Sequence, residues 1–308
     1  MIMISKFKEI VQKLNNIKVT ENAPMSKYTS FKAGGAAAFL VEVETVDALK
    51  EVLKIVDEKG IPHMMLGNGS NMLFKDSGYE GVVIKLSQET FSDVAFEEDG
   101  DKCKVTAGTG ILLSTLARML LEKELTGFEF ASGIPGSLGG AVFMNAGAYG
   151  GEMKDIVTSV KVVSPDGKEE KIFSAEEMDF SYRHSVLEEN GYIAVEVTFE
   201  FAKGDKEVIS ATMKDLMQKR NSKQPVNYPS AGSTFKRPTG YFAGKLIEDA
   251  GLKGTSVGGA EVSTLHSGFV INKGGATATD ILELITLVQN RVYDEFGVML
   301  QPEVRIIG

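Results

Sequence analysis

The stretch GIPGSLGGAVFMNAGAYGG, residues 133–151, holds seven glycines and one proline and not one charged side chain. So much bare backbone suits a place where the main chain must approach another group closely. Glycine-rich turns bind anions because no Cβ blocks the approach and successive N–H groups can point into one hollow. The same glycines are also what tight turns in a sheet domain require. A second such loop, GNGSN at residues 67–71, follows the strand-like HMMLG. Two charge-free glycine loops, each after a strand-like segment, point to a binder of a phosphorylated ligand, and spacing carries the reading no further.

Neither standard nucleotide motif is present. A P-loop needs Gly-Lys-Ser/Thr at the end of its turn, and the glycine-rich regions contain no such tripeptide. A dinucleotide fingerprint needs three glycines as G-x-G-x-x-G, and both GNGSNM and GTGILL supply two and miss the third. The window from Phe130 to Gly151 is long and uncharged and has two GxxxG spacings, Gly136 to Gly140 and Gly147 to Gly151. A membrane span fails there on composition, since large apolar residues are few and Pro135, Asn145 and the glycines would leave backbone groups unsatisfied in lipid.

The 308 residues allow two or three domains. Lysine plus arginine total 33 against 42 acidic residues, a net charge of −9 without a basic block, which argues against nucleic acid as a partner. The single cysteine, Cys103, has no internal disulfide partner, and His63, His184 and His266 stand too far apart for metal-ligand spacing. The cytoplasm is the expected compartment, with no metal, no membrane and no obligate protein partner.

Near the N-terminus, Phe7, Ile10, Val11, Leu14 and Ile17 fall at helical spacing behind Ser5, an expected cap, and nothing there has the order of a secretory signal. Ala36–Glu44 reads as a strand, and Thr45–Lys59 as a helix with Ala48, Leu49, Val52, Leu53 and Val56 on one face and Gly60 as its stop. GVVIKLS and KCKVTAG read as strands, and ILLSTLARMLLEKEL as an apolar-striped helix. SVKVVSPDGKEEKIF predicts two strands around a Pro-Asp-Gly turn, followed by a capping box from Ser174 to Glu177. Tyr192–Phe201 predicts a further strand. The polar AKGDKE then marks a domain boundary, beyond which come a helix containing MKDLMQKR, short strands AEVS and GFVIN, a long helix over Thr279–Phe296 and a last strand EVRII. The whole is a mixed α+β chain in three parts.

Taken in order, LGNGSNML, SGIPGSLGGAVFMNAGAYGGE, FSYRHS, AGSTFKRP and QPEVRI resemble the successive motifs of the UDP-N-acetylenolpyruvoylglucosamine reductase family, the flavoenzymes of peptidoglycan precursor synthesis. The resemblance runs from about Tyr28 to the C-terminus. Its first two motifs are shared with FAD-binding domains of the vanillyl-alcohol-oxidase type (PCMH type), and its last three are specific to the family. It implies an N-terminal lead-in over 1–31, a two-lobed FAD-binding domain over 32–201 with lobes 32–87 and 88–201, and an α+β substrate-binding domain over 202–308.

By motif position, the resemblance assigns FAD contacts to Gly67, Asn68, Gly69, Ser70, Asn71, Gly133, Pro135, Gly136, Gly139, Asn145, Gly147, Arg220 and Arg305. It assigns substrate contacts to Tyr149, Tyr182 and Lys223. The implied chemistry is reduction of bound FAD by NADPH, hydride transfer from flavin N5 to C3 of UDP-N-acetylglucosamine enolpyruvate, and protonation of C2, giving UDP-N-acetylmuramate. Ser233 matches the proton donor, and a hydroxyl is a credible acid toward a carbanion when neighbours stabilise its alkoxide. Arg183 matches the arginine that holds the carboxylate and enolate, for which a planar guanidinium fork is suited. Glu303 matches a third catalytic residue that positions or protonates the intermediate. By residue type alone, the commoner readings are a turn serine for Ser233, half of a surface ion pair for Arg183 and a solvated carboxylate for Glu303; His184 reads as structural.

The chain runs almost directly from AKGDKE into a helix, so it resembles the short form of the family, which lacks a loop carrying a substrate-clamping tyrosine. An FAD-dependent alcohol or lactone oxidase of the same fold would share the glycine loops but not the Arg183, Ser233 and Glu303 set. A non-catalytic nucleotide-sugar binder would tolerate the loss of all three.

Overall fold

The computed structural model describes residues 2–11 and 13–308. They form two compact units, each discontinuous in sequence. Unit 1 comprises residues 1–20, 39–68 and 81–219, and unit 2 comprises 21–38, 69–80 and 220–308. These units differ in extent from the contiguous segments 1–31, 32–201 and 202–308. Two N-terminal pieces group with the C-terminal third, and most of the helix Lys206–Lys223 groups with unit 1.

The first helix is Ile2–Val11. Ser5 therefore lies inside the helix rather than at its cap, and Ile17 opens the strand Ile17–Pro24, because the apolar spacing continues past the point where the helix stops. Phe7 and Val11 are buried, and the Phe7 ring lies 5.3 Å from that of Phe39. The strands Ile17–Pro24, Ala36–Val43, Tyr79–Leu86 and His63–Met65 follow one another in this order in a four-stranded sheet. The last two run parallel, with His63 opposite Val82 and Met65 opposite Ile84. Between the strands Ala36–Val43 and His63–Met65 lies the helix Val46–Glu58, which buries Ala48, Leu49, Val52, Leu53 and Val56. Thr45 caps it by accepting the Ala48 N–H at 3.1 Å, and Gly60 ends it with φ +58°.

The larger sheet of unit 1 is antiparallel, with strand order Glu170–Ser174, Val157–Val163, Ile193–Lys203, Lys102–Gly108 and Val94–Asp99; Leu125–Thr126 pairs with one end of Ile193–Lys203. Alternation puts Val195, Val197, Phe199 and Phe201 inward and Glu196, Thr198 and Glu200 outward. Below it the helix Leu113–Glu122 buries Leu113, Leu116, Ala117 and Leu120, and Phe128 stands edge-on to Phe199 and Phe201. Each such buried leucine or phenylalanine contributes about 1.5–3 kcal/mol. The Pro-Asp-Gly hairpin forms, with Gly167 at φ +70° and its N–H donating to the Ser164 carbonyl at 2.9 Å. The Ser174–Glu177 box also forms, at 2.8 and 3.2 Å, but it closes a turn and not a helix, because the chain there folds straight back into the Arg183 turn.

Unit 2 is built on the helix Ala278–Phe296, whose buried Ile281, Leu284, Ile285, Val288 and Val292 share a core with Phe31, Leu73, Phe235, Leu246 and Leu300. A three-stranded antiparallel sheet of Ser256–Val257, Ala260–Val262 and Val270–Asn272 belongs to this unit. So does a parallel pair, Met72–Phe74 with Arg305–Ile307. Asn272, 6% exposed, joins the early segment to the late one by donating from Nδ2 to the Phe31 carbonyl at 3.0 Å. No described helix is long and apolar enough to cross a membrane.

Candidate active site

In unit 1 Gly67 and Asn68 meet the second glycine-rich stretch. Asn68 Nδ2 donates to the Pro135 carbonyl at 2.9 Å, and a Cβ on Gly67 would lie 2.7 Å from Ser137 Oγ. Gly139 packs on Thr109, to whose carbonyl its N–H donates at 2.9 Å. Among the described residues, the N–H groups of Gly67, Asn68, Gly69 and Ser70 donate to no protein acceptor, nor do those of Gly133 and Gly140. Rows of unused amides in charge-free, glycine-rich loops are the chemistry of a phosphate cradle, so these residues fit a nucleotide cofactor.

The remaining unit 1 candidates surround one tight turn. Ser181 and His184 exchange backbone hydrogen bonds at 3.2 Å, leaving Tyr182 and Arg183 at the corner. Arg183 has φ +56°, its guanidinium carbon lies 5.0 Å from the Tyr182 ring centroid, and its Nη2 donates to the Gly147 carbonyl at 3.4 Å. Tyr149, also at positive φ (+53°), and Tyr182 are each about half exposed, at 49% and 47%. Left-handed backbone at residues other than glycine is costly, and its concentration in one place is a mark of functional sites. His184 faces Glu188 and Glu189, each at 3.5 Å, as a surface group.

Asn145, assigned to the flavin by motif position, spends its side-chain amide on protein. It is fully buried with φ +43°, and its amide is committed to protein: Nδ2 donates to Glu152 Oε2 and to the Ser181 carbonyl, both at 2.9 Å, and Oδ1 accepts the Lys154 N–H at 2.9 Å. Glu152 was not legible as a partner, although it is the first charged residue after the glycine-rich stretch.

In unit 2 the sequence candidates are gathered by the C-terminal segment. Thr234 and Glu303 are joined by a bond from the Glu303 N–H to the Thr234 carbonyl at 2.8 Å, beside a bridge between Phe235 and Pro302. Thr234 is itself buried, donating its N–H to Gly268 and accepting the Val270 N–H at Oγ1, both at 2.9 Å, which holds the exposed Ser233 at the mouth of a rigid turn. Asn71 Nδ2 donates to the Glu303 carbonyl at 3.1 Å, and the Arg305 N–H donates to the Asn71 carbonyl at 3.0 Å. Gly69, at φ +65°, lies so close to the Tyr28 carbonyl that a Cβ there would come within 2.0 Å of its oxygen. Arg220 and Lys223 occupy the last turn of the helix Lys206–Lys223. That helix begins right after the strand Ile193–Lys203, with no inserted loop between them. Among the described residues there is no cluster of metal-ligating side chains.

Residues 224–307 match the family model described as UDP-N-acetylenolpyruvoylglucosamine reductase, C-terminal domain, and residues 37–172 match an FAD binding domain. The chain is 52% identical over 293 residues to the UDP-N-acetylenolpyruvoylglucosamine reductase of Clostridioides difficile, covering 95% of this chain and 94% of that one. It is 48% identical over 305 residues to that of Alkaliphilus oremlandii, covering 99% and 98%. The crystal structure of the Thermus caldophilus enzyme superposes with a TM-score of 0.79 at 36% identity, over 95% of this chain and 99% of that chain. The fold alone is shared with Physcomitrella patens BBE-like 1, at a TM-score of 0.50 and 16% identity over 64% of this chain and 44% of that one. The two-lobed FAD-binding fold joined to a C-terminal α+β portion is thus the architecture of this protein, and the chain belongs to the UDP-N-acetylenolpyruvoylglucosamine reductase family of FAD-dependent oxidoreductases.

Proposed function

We propose that this protein reduces UDP-N-acetylglucosamine enolpyruvate to UDP-N-acetylmuramate in peptidoglycan precursor synthesis, with NADPH as electron donor. Residues 32–201 would hold the cofactor and 202–308 the substrate, in keeping with the matches at 37–172 and 224–307. When bound, FAD would supply the hydride chemistry between NADPH and C3 of the enolpyruvyl group. The unused amides of Gly67–Ser70, Gly133 and Gly140 would hold the cofactor's pyrophosphate.

The side chains manage charge and the proton. Arg183 binds the carboxylate and carries the negative charge that spreads onto it as C3 is reduced. Ser233 gives its hydroxyl proton to C2, and Glu303 fixes the geometry of that transfer. Tyr149, Tyr182 and Lys223 line the sugar nucleotide. What supports this reading most directly is the Glu303 to Thr234 bond, which joins two motifs from opposite ends of the substrate-binding region into one rigid pair. The single buried Cys103 accords with the cytoplasm as the compartment.

The test is spectroscopic. Purified protein carrying FAD should lose its visible flavin bands on anaerobic addition of NADPH and recover them on addition of the enolpyruvyl nucleotide sugar. Bands that bleach but do not return with the sugar would favour another oxidoreductase of the same cofactor fold. A protein that takes up no FAD would end the reading.

A further inference from the structure

The turn that carries Arg183 is fastened to the glycine-rich stretch at three points. Ser185 Oγ donates to the Phe143 carbonyl at 2.6 Å, Asn145 Nδ2 donates to the Ser181 carbonyl at 2.9 Å, and Arg183 Nη2 donates to the Gly147 carbonyl at 3.4 Å. The central fastener is Asn145, whose amide is held in one orientation by Glu152 together with the Ser181 carbonyl and the Lys154 N–H. One Nδ2 hydrogen goes to Glu152 Oε2 and the other to the Ser181 carbonyl of the turn, while Oδ1 accepts the Lys154 N–H.

Glu152 is in turn held in place. It pairs in register with Gly147, where a Cβ would lie 2.7 Å from Glu152 Cγ; its N–H donates to Asp155 Oδ2 at 2.8 Å, and Lys154 Nζ lies 2.9 Å from Oε2. Lys154 above all, then Asn145 and the Arg183 guanidinium, outweigh its burial and keep its carboxyl below the ordinary glutamate range, so it is an anion at neutral pH. A partly exposed ion pair such as Glu152–Lys154 adds little to stability; the carboxylate instead both closes a capping box with Asp155 and accepts from the Asn145 amide.

We infer that Glu152 is a positioning residue for Arg183, orienting its turn through Asn145 and moderating the guanidinium with a negative charge that the substrate carboxylate must outcompete. Two separable effects follow. The acceptor function sets geometry and so governs turnover. The charge function opposes the incoming carboxylate and so governs substrate affinity. Lys154 draws part of that charge away from Arg183.

The inference rests on the proposed role of Arg183, so the holoenzyme variants Glu152→Ala, Glu152→Gln, Lys154→Met and Arg183→Lys are compared together. Reoxidation of the NADPH-reduced enzyme by the enolpyruvyl substrate is followed, with reduction by NADPH as the internal control. Glu152→Ala should slow reoxidation by about 10- to 100-fold, as displacement of a catalytic group does, and leave flavin reduction unchanged. Glu152→Gln, which keeps the acceptor and loses the charge, should restore kcat and lower the substrate KM, whereas Lys154→Met should raise that KM. The inference is overturned if a folded Glu152→Ala enzyme reoxidises like the wild type, if Glu152→Gln is as slow as Glu152→Ala, or if the two KM shifts share one sign. Should Glu152→Ala fail to fold, the opposite KM shifts of the other two variants decide the matter. An Arg183→Lys enzyme with undiminished turnover would sink the underlying reading instead, while a crippled Arg183→Lys beside silent Glu152 variants would sink this inference alone.

Discussion

The backbone N–H of Glu303 donates to the carbonyl of Thr234 at 2.8 Å, which ties the C-terminal segment to the residue directly after Ser233. Lys236 N–H donates to the Gln301 carbonyl at 2.8 Å just beyond it, so the two segments pair as a short antiparallel ladder. Their side chains are therefore set by backbone register and not by flexible loops.

A hydroxyl held in this way has a definite signature on removal. Ser233→Ala should leave the reduction of flavin by NADPH intact and slow the reaction with the enolpyruvyl substrate by roughly 10²- to 10⁴-fold, the range of a lost general acid. Rapid-mixing absorbance separates the two steps. Equal rates in wild type and variant would remove Ser233 from the proton path.

The GNGSN turn makes a sharper structural prediction. Gly69 combines φ +65° with a Cβ position 2.0 Å from the Tyr28 carbonyl oxygen. A left-handed non-glycine residue costs roughly 1–3 kcal/mol before any clash, so Gly69→Ala should lower stability by at least that much and weaken FAD binding as the loop shifts. Urea unfolding and flavin fluorescence quenching read the two effects. Gly60→Ala, at φ +58° but with open space around it, should cost less and leave FAD affinity unchanged.

Asp76 links a short early segment to the helix Ala278–Phe296 by accepting the N–H groups of Ala278 and Thr279 at 2.9 and 2.8 Å and the Thr279 hydroxyl at 2.7 Å. Burial alone would raise its carboxyl, but the hydroxyl and the two amides prevail and hold it below the ordinary value of 3.8. A depressed folded pKa means that the stabilisation is full above the unfolded value and is lost as the pH falls below it. Asp76→Ala should therefore cost about 1 kcal/mol at pH 7, as the loss of a helix cap does. The gap between wild type and variant should narrow as unfolding is repeated at pH values falling below 3.8. A gap that does not change with pH would show that the carboxylate charge plays no part.

Much of the local structure was legible in the residues. The helix Val46–Glu58 buries the five residues that its periodicity marks, and Thr45 caps it. The hairpin around Asp166 and the long helix behind Thr277 likewise follow from turn and capping chemistry read over a few neighbours. Where the reading went wrong, the local signal was real but its surroundings changed its use. Ser5 sits within a helix that begins at Ile2, and the Ser174 box closes a turn. Glu152 and the inward role of Asn145 were invisible, since nothing near them in sequence states that Ser181 lies within hydrogen-bonding distance.

By itself, then, the sequence determined the elements, the two glycine loops and the set of chemically able side chains, because helix periodicity, capping and positive-φ turns are settled by residues a few positions apart. Tertiary structure alone decided that residues 21–38 and 69–80 join the C-terminal third, that Asn71 reaches across 232 positions to the Glu303 carbonyl, and that the Asn145 amide is spent on the Arg183 turn. Those pairings depend on which distant segments the folded cores bring within hydrogen-bonding distance, and closing such long loops is rewarded by burial far from either partner.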